Sequence, residues 1–448
     1  MSKDQLALLT SRRFLPLFMT QFLGAFNDNV FKNALVILIT YVAADKAGMN
    51  PQILVTLAAG IFILPFFVFS ATAGQLADKH EKSRLIRVIK LVEILLMVSA
   101  AIGFYTSSVW LLMLVLFLMG AQSAFFGPLK YSILPEHLYE HELIGGNALV
   151  EAGTFLAILL GTIAGGLLIL ADNGVLYVSL LVFVVALAGW LSSRAIPHAA
   201  PSAPALKIHW NMAAETWRII GFARESQDVF LAIIGISWFW LVGATFLAQF
   251  PTFAKITLGG DETVVTFFLT LFSVGIGIGS LLCNRLLKGE VSGLYVPLGA
   301  MGMAVFTIVL YFASRYLQPG ADGSLLTVQG FILNPGYWWV IGALLMIAIC
   351  GGIYIVPLYA IMQARSEKSH RARVVAANNV LNALFMVVSA IATLGMFSLD
   401  FTVPDVFLTV GLVNIPVALL VRRLVRKQRA KNERIIGETD HDHTSHST

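Results

Sequence analysis

The residues best equipped for chemistry sit where charge is hardest to hold. An apolar run from about residue 14 to 43 contains one carboxylate, one ammonium group and four carboxamides, in the order Gln21, Asn27, Asp28, Asn29, Lys32 and Asn33. An ionisable group at mid-membrane depth costs several kcal/mol, so it rarely faces lipid and marks either a pathway or a buried pair. Asp28 and Lys32 are spaced i, i+4, which puts both on one face of a helix. Two readings are open. In one they neutralise each other and let a helix bundle assemble. In the other Asp28 lines a central cavity and binds a coupling cation or a zwitterionic headgroup, while Lys32 meets a phosphate or tunes Asp28.

Other polar groups lie at the ends of apolar runs. Gly74, Asp78, Lys79, Lys82 and Arg84 join the second run to the third. The glycine admits close helix approach, and Asp78 can sit at the positive N-terminus of a neighbouring helix. A charged loop that only sets topology is the other reading. Lys130 follows Pro128, and Glu151 lies one turn into the fifth run, four residues after Asn147. Both stand near a boundary where charge can snorkel, so structural pairing and substrate contact both stay open. Glu93 with Lys90 reads as an internal structural pair. In the second half the main polar groups are Gln249, Asn284, Asn378 and Asn382, and Arg285 marks a helix end.

Cys283 and Cys350 both fall in apolar runs and read as small packing residues, with no disulfide or metal framework. Glycine runs at 161–166 and 275–279 suit tight helix packing, and no Gly-Lys-Ser/Thr follows to make a phosphate loop. There is no nucleophile–base–acid arrangement, no His-Glu-x-x-His motif and no nucleotide-binding signature. An enzyme and an ATP-driven pump are therefore disfavoured, and no cofactor or metal is expected.

These groups need elements to position them. Of the 448 residues, 58% are hydrophobic and 12% charged, with mean hydropathy +0.81. A soluble domain carries about twice that charged fraction, so the class is an all-α, polytopic membrane protein. Runs suited to spanning recur at roughly 14–43, 52–77, 85–106, 109–127, 147–171 and 174–196. A second set follows at roughly 229–257, 263–287, 294–315, 337–362, 374–398 and 404–422. The first run has no small-residue cleavage site, so it is read as a spanning helix and not as a signal peptide.

The expected division is a first six-helix bundle at 1–196, a linker at 197–228, a second six-helix bundle at 229–425 and a tail at 426–448. Met212, Trp217 and Ile220 in the linker recur at helical spacing, which predicts an amphipathic helix on the membrane surface. The outward loop 316–336 carries turn signals and is read as a connector or a cap. The basic start of the tail suits anionic lipid, and its His441, His443 and His446 read as solvated and disordered. Of the 30 Lys and Arg residues, Lys46, Lys255 and Arg315 fall on one side, Lys32 and Lys90 lie within helices, and the other 25 share the side of the N-terminus. The positive-inside rule then puts both termini in the cytoplasm, and the basic charge needs no nucleic-acid partner. Short matches relate the halves: Gly127-Pro128-Leu129-Lys130-Tyr131, read as closing the fourth run, with Val356-Pro357-Leu358-Tyr359, and Asn147-Ala148-Leu149 with Asn378-Asn379-Val380.

Six spans, a linker and six more resemble the major facilitator superfamily. Gly74-Gln75-Leu76-Ala77-Asp78-Lys79, followed by Lys82 and Arg84, is similar to that superfamily's loop signature, with His80-Glu81 replacing the usual glycine context. The resemblance implies that Gly74, Asp78, Lys79 and Arg84 hold the outward-open state and gate the conformational switch. The stretches 21–29, 127–134 and 147–166 further resemble the bacterial lysophospholipid transporter family, and the transporter part of fusions with acyltransferase domains. This likeness implies flipping of lysophospholipids, especially lysophosphatidylethanolamine, across the bacterial inner membrane by alternating access, energy-independent or linked to sodium or protons.

A cytoplasmic acyltransferase acting in trans would then restore the diacyl lipid, and membrane lipids are the other partners. By family pattern Asp28 matches a transport-critical acid, and Lys130 and Glu151 match polar positions on the cavity's cytoplasmic side. One departure stands out. The family pattern has a seventh-span arginine after Gly-Ala-Thr, where this chain reads Gly243-Ala244-Thr245-Phe246-Leu247-Ala248-Gln249. Either Lys32 or Gln249 substitutes for it, or the substrate differs. The substrate- or ion-binding set is thus Asp28, Asn29, Lys32, Lys130, Glu151, Gln249 and Asn382. Two other functions fit the same composition: a proton-coupled exporter of drugs or other amphipathic compounds acting through Asp28, and a non-transporting membrane anchor for acyltransferases.

Overall fold

The computed structural model describes residues 5–39, 51–315, 317 and 325–445. The end of the first expected run, the loop with Lys46, part of the 316–336 loop and the tail side chains, His441, His443 and His446 among them, lie outside the described residues. The first set of helices is α1 (Leu15–Leu38), α2 (Pro51–Lys79), α3 (Lys82–Tyr105), α4 (Val109–His137), α5 (Leu143–Ile169) and α6 (Gly174–Arg194). A linker helix, α7 (Met212–Glu225), leads into α8 (Gln227–Thr252), α9 (Glu262–Leu287) and α10 (Val296–Arg315). A short α11 (Val328–Leu333) precedes α12 (Trp338–Arg365), α13 (Arg371–Phe397) and α14 (Val403–Ser445).

Among the described residues, ten helical segments are long and apolar enough to cross a membrane. α1 and α3 have spanning length too but carry the polar residues that line or flank the cavity. Helix starts are chemically marked. Glu81 caps α3 by accepting from the N–H groups of Ser83 and Arg84, Ser108 caps α4, and Asp261 caps α9. Each acceptor serves a backbone donor that the first turn leaves without a partner.

α4 differs from expectation. It runs through Pro128 and Pro135 to His137, well past the expected end at 127. Proline reads as a helix stop because it lacks an N–H and crowds the preceding turn. Here neighbouring helices hold the segment helical, and that extension carries Lys130 and Tyr131. Pro357 sits inside α12 in the same way, and the carbonyl of Ile353 that its missing N–H leaves free receives the Cys283 thiol from α9 at 3.9 Å.

Small residues bring helices close. A Cβ added at Gly165 would lie 2.4 Å from the Val30 carbonyl oxygen, so α5 can touch the α1 backbone only with glycine there. Within the second set, Phe246 stacks on Phe407 at 4.2 Å, and further phenylalanines of α8 and α9 pack around them. The two sets meet where α2 packs on α13 and α5 packs on α9. The linker is strapped to the same end of the bundle: Gln75 exchanges two hydrogen bonds with the backbone of His209, and the N–H of Lys82 donates to the Ala199 carbonyl. α7 buries Ile219 and Ala223 and leaves Trp217 73% exposed, so its inward face is one that the Met212–Trp217–Ile220 pattern does not mark.

Candidate functional site

A cavity of about 310 Å³ lies between the two sets of helices. On α1 its lining runs from Gln21 to Lys32, which is roughly 16 Å of helix at 1.5 Å per residue. Among the described residues its charged lining is Asp28, Lys32, Lys90 and Lys130. The carboxamides of Asn29 and Asn382 join them, and Phe62, Ile63, Phe66, Phe126, Ile158 and Met386 supply apolar wall. The site thus mixes charged and carboxamide groups from α1, α3, α4 and α13 with apolar side chains from α2, α4, α5 and α13.

Asp28 and Lys32 share a helix face but do not neutralise each other directly. Among the described residues they form no ion pair. Asp28 Oδ2 accepts the Ser123 hydroxyl at 2.9 Å, and the Lys32 ammonium lies 4.6 Å from the centre of the Phe62 ring. Lys130 likewise sits 4.4 Å from the Tyr131 ring centre. Both cations therefore rest on π-faces, which attract but do not cancel their charge. Behind this layer Glu93 accepts from Lys90 at 2.5 Å, from Gln122 at 3.0 Å and from Asn27 at 3.2 Å. Lys90, Glu93 and Gln122 were not in the expected binding set, although the Lys90–Glu93 pairing was expected. Ser123 and Gln122 carried no charge to mark them.

The floor of the cavity is aromatic. Tyr131 from α4 and Tyr359 from α12 stack at 4.3 Å with their rings 7° apart. Tyr131 donates its hydroxyl to Glu151 Oε1 at 2.7 Å, and the Trp240 indole N–H donates to Tyr359 at 3.1 Å. Glu151 is fully buried, and among the described residues its Oε2 has no hydrogen-bond partner. Below the stack Asn147 and Gln363 exchange two hydrogen bonds at 2.8 and 2.9 Å, tying α5 to α12.

A second closure lies at the 79–82 loop. The Asp78 carboxylate accepts the backbone N–H groups of Ala372 at 3.0 Å and Arg373 at 3.3 Å, both in the first turn of α13. It also accepts from Arg373 Nε at 3.0 Å. This is an anion at a helix N-terminus with a guanidinium added. Gly74 completes it, because a Cβ there would lie 2.8 Å from that of Ala376 and 2.9 Å from the Arg373 Cα. Arg373 in turn lies 4.7 Å from the Phe222 ring of α7, so the linker helix backs the contact.

Asp28, Asn29, Lys32, Lys130 and Asn382 are thus brought to one cavity, and Glu151 stands directly behind its floor. Gln249 is not brought there: it lies half-buried near the end of α8, away from the lining. Of the loop residues, Gly74 and Asp78 meet α13, whereas Lys79 is half-buried and Arg84 exposed. The buried cation of that loop is Lys82, paired with Glu136 at 2.6 Å. At the loop's edge His370, Glu225 and Glu367 hold potential metal-ligand atoms within 4.8 Å of one another, but both carboxylates are exposed and the group lies away from the cavity.

Among the described residues, twelve helices of spanning length around a charged cavity, closed at one end by paired contacts, define a multi-pass membrane protein built like a transporter. Residues 17–333 match the Major Facilitator Superfamily, and the chain belongs to it. Solved structures share the fold. The human organic anion transporter MFSD10 superposes with a TM-score of 0.69 at 10% identity, covering 92% of this chain and 99% of that one. FucP in its outward conformation gives 0.68 at 12% identity, covering 91% and 97%. In sequence, the lysophospholipid transporter LplT of Escherichia fergusonii is 27% identical over 419 residues, covering 91% of each chain. LplT of Citrobacter koseri is also 27% identical over 419 residues, covering 92% of this chain and 91% of its own.

Proposed function

We propose that this chain is a lysophospholipid transporter of the bacterial inner membrane that moves its substrate to the cytoplasmic leaflet by alternating access. The observation that carries the reading is the presence of charged groups and apolar side chains in one cavity, with Lys32 and Lys130 on aromatic faces and Asp28 held by Ser123. A lysolipid has one acyl chain and a phosphate-bearing head, which needs both kinds of lining at once. The likeness to LplT relatives along nearly their whole length supports the same substrate class.

In this reading the halves 1–196 and 229–425 rock about the cavity, with the linker 197–228 and the tail 426–448 in the cytoplasm together with the N-terminus. The closed 79–82 end is then cytoplasmic, and the state described is outward-facing. Asp78 and Gly74 hold that state, Lys79 and Arg84 serve as topology charges, and Lys32 takes the place of the missing seventh-span arginine. A coupling cation, sodium or a proton, would bind at Asp28, and a cytoplasmic acyltransferase would consume the product.

Purified protein in liposomes, assayed for lysophosphatidylethanolamine movement beside Asp28→Asn, tests the reading. Movement by wild type and its loss in the variant are expected. Equal rates would remove Asp28 from the mechanism. Proton-coupled dye efflux without lysolipid movement would make the chain an exporter, and no transport of either would make it an anchor.

A further inference from the structure

We propose that Lys90 is a phosphate ligand of the substrate, held in reserve by Glu93; this rests on the lysophospholipid reading above. Lys90 belongs to α3, a helix whose only charged or polar contribution to the cavity lining, among the described residues, is this side chain. Its route inward passes Gly24 of α1. A Cβ at Gly24 would lie 2.4 Å from Lys90 Nζ, so the ammonium reaches the cavity through the space that the missing side chain leaves. Gly24 itself lines the cavity, and the Phe126 ring centre lies 5.2 Å from the same ammonium.

The counter-ion is as deeply buried, Lys90 being 1% and Glu93 2% exposed, but Glu93 is not part of the lining. Besides Lys90 at 2.5 Å it accepts from the amides of Gln122 and Asn27, one on each oxygen. The carboxylate therefore keeps a donor on both oxygens if the ammonium turns away. A buried ion pair contributes little net stability over apolar packing, because desolvation offsets the attraction. A pair built only to hold helices together would not need a gap that opens its cation to the cavity. A phosphate arriving there offers Lys90 a charge-assisted bond without movement of α3. Lys90 then meets the phosphate at the level of Gly24, about 6 Å of helix from Asp28 and about 12 Å from Lys32.

The proposal separates two charge removals that a structural pair would not separate. Lys90→Gln weakens binding of a phosphate-bearing lysolipid, whereas Glu93→Gln frees the ammonium and tightens it. The double variant Lys90→Gln/Glu93→Gln restores a neutral hydrogen-bonded pair and still binds weakly. Gly24→Ala changes no charge and weakens binding by crowding the ammonium. The test is equilibrium binding to purified protein of lysophosphatidic acid and of monoacylglycerol with the same chain. Wild type is expected to favour the phosphate-bearing lipid, and the double variant to lose about tenfold of that preference, as for one hydrogen bond between charged groups. Retained binding of monoacylglycerol reports that each variant is folded. A double variant that discriminates as wild type does, or Lys90→Gln and Glu93→Gln shifting phosphate preference in the same direction, overturns the proposal. A wild type with no preference for phosphate overturns the lysophospholipid reading itself.

Discussion

Tyr131 and Tyr359, one from each set of helices, stack face to face beneath the cavity at 4.3 Å. Each ring is held by its own half: Tyr131 donates to Glu151, and Tyr359 accepts from Trp240. The stack is a contact between halves that must part for the cavity to open at this end. Such a pair contributes about 1 kcal/mol beyond its buried area. Tyr359→Ala is therefore expected to shift the closed state towards the open one by about fivefold. Tyr131→Phe keeps the stack and should shift it much less. Alkylation of a cysteine placed at Ile158, in a Cys283→Ala/Cys350→Ala background, reads the difference from the side of the 79–82 loop. Equal labelling of the two variants would show that the stack does not hold the floor.

Asp78 makes a larger contribution, because its bonds to Ala372, Arg373 N–H and Arg373 Nε all cross between the halves. Asp78→Asn keeps the shape but removes the charge that Arg373 and the α13 N-terminus share. Hydrogen bonds to charged groups are each worth about 1.5–3 kcal/mol, so the closed population should fall at least tenfold. The same labelling assay applies. An unchanged labelling rate would mean that the 79–82 contact is a consequence of closure and not a cause.

The loop end should also be acid-sensitive. Arg13 grips Glu142 with two N–H groups at 2.5 and 2.6 Å, and the Tyr139 N–H adds a third bond. Burial opposes ionisation of Glu142, but these bonds outweigh it and hold the carboxyl below the usual range. A depressed carboxyl stabilises the fold above its unfolded pKa of about 4.3, and that stabilisation is lost as pH falls through the lower folded value. Thermal unfolding should therefore show a smaller acid-induced drop in Glu142→Gln than in wild type. Parallel pH profiles would refute it.

How much of this was readable from residues alone depends on the physics of each group. Asp28, Lys32 and Lys130 announced themselves because charge in an apolar run is costly wherever the helix faces. Gln249, which lies outside the cavity lining, shows the complementary limit. In a membrane both lipid and core are apolar, so hydropathy cannot say which face of α8 turns inward. Ser123 and Gln122 are neutral groups that gain importance only through Asp28 and Glu93, residues distant in sequence. Lys90 and Glu93 looked self-sufficient at i, i+3, and only the space at Gly24 shows that the ammonium reaches further. The length of α4 was hidden by Pro128, whose local preference to stop a helix yields to packing.

That proline carries a wider consequence. Tyr131 lies three residues beyond Pro128 and Tyr359 two beyond Pro357, so each ring is borne on a half-helix joined to its upper part with one backbone bond missing. The floor is therefore less a wall than a pair of trapdoor leaves, each with its hinge already cut. Bending at two points can part them while the upper cavity, lined by Asp28 and Lys32, keeps its shape.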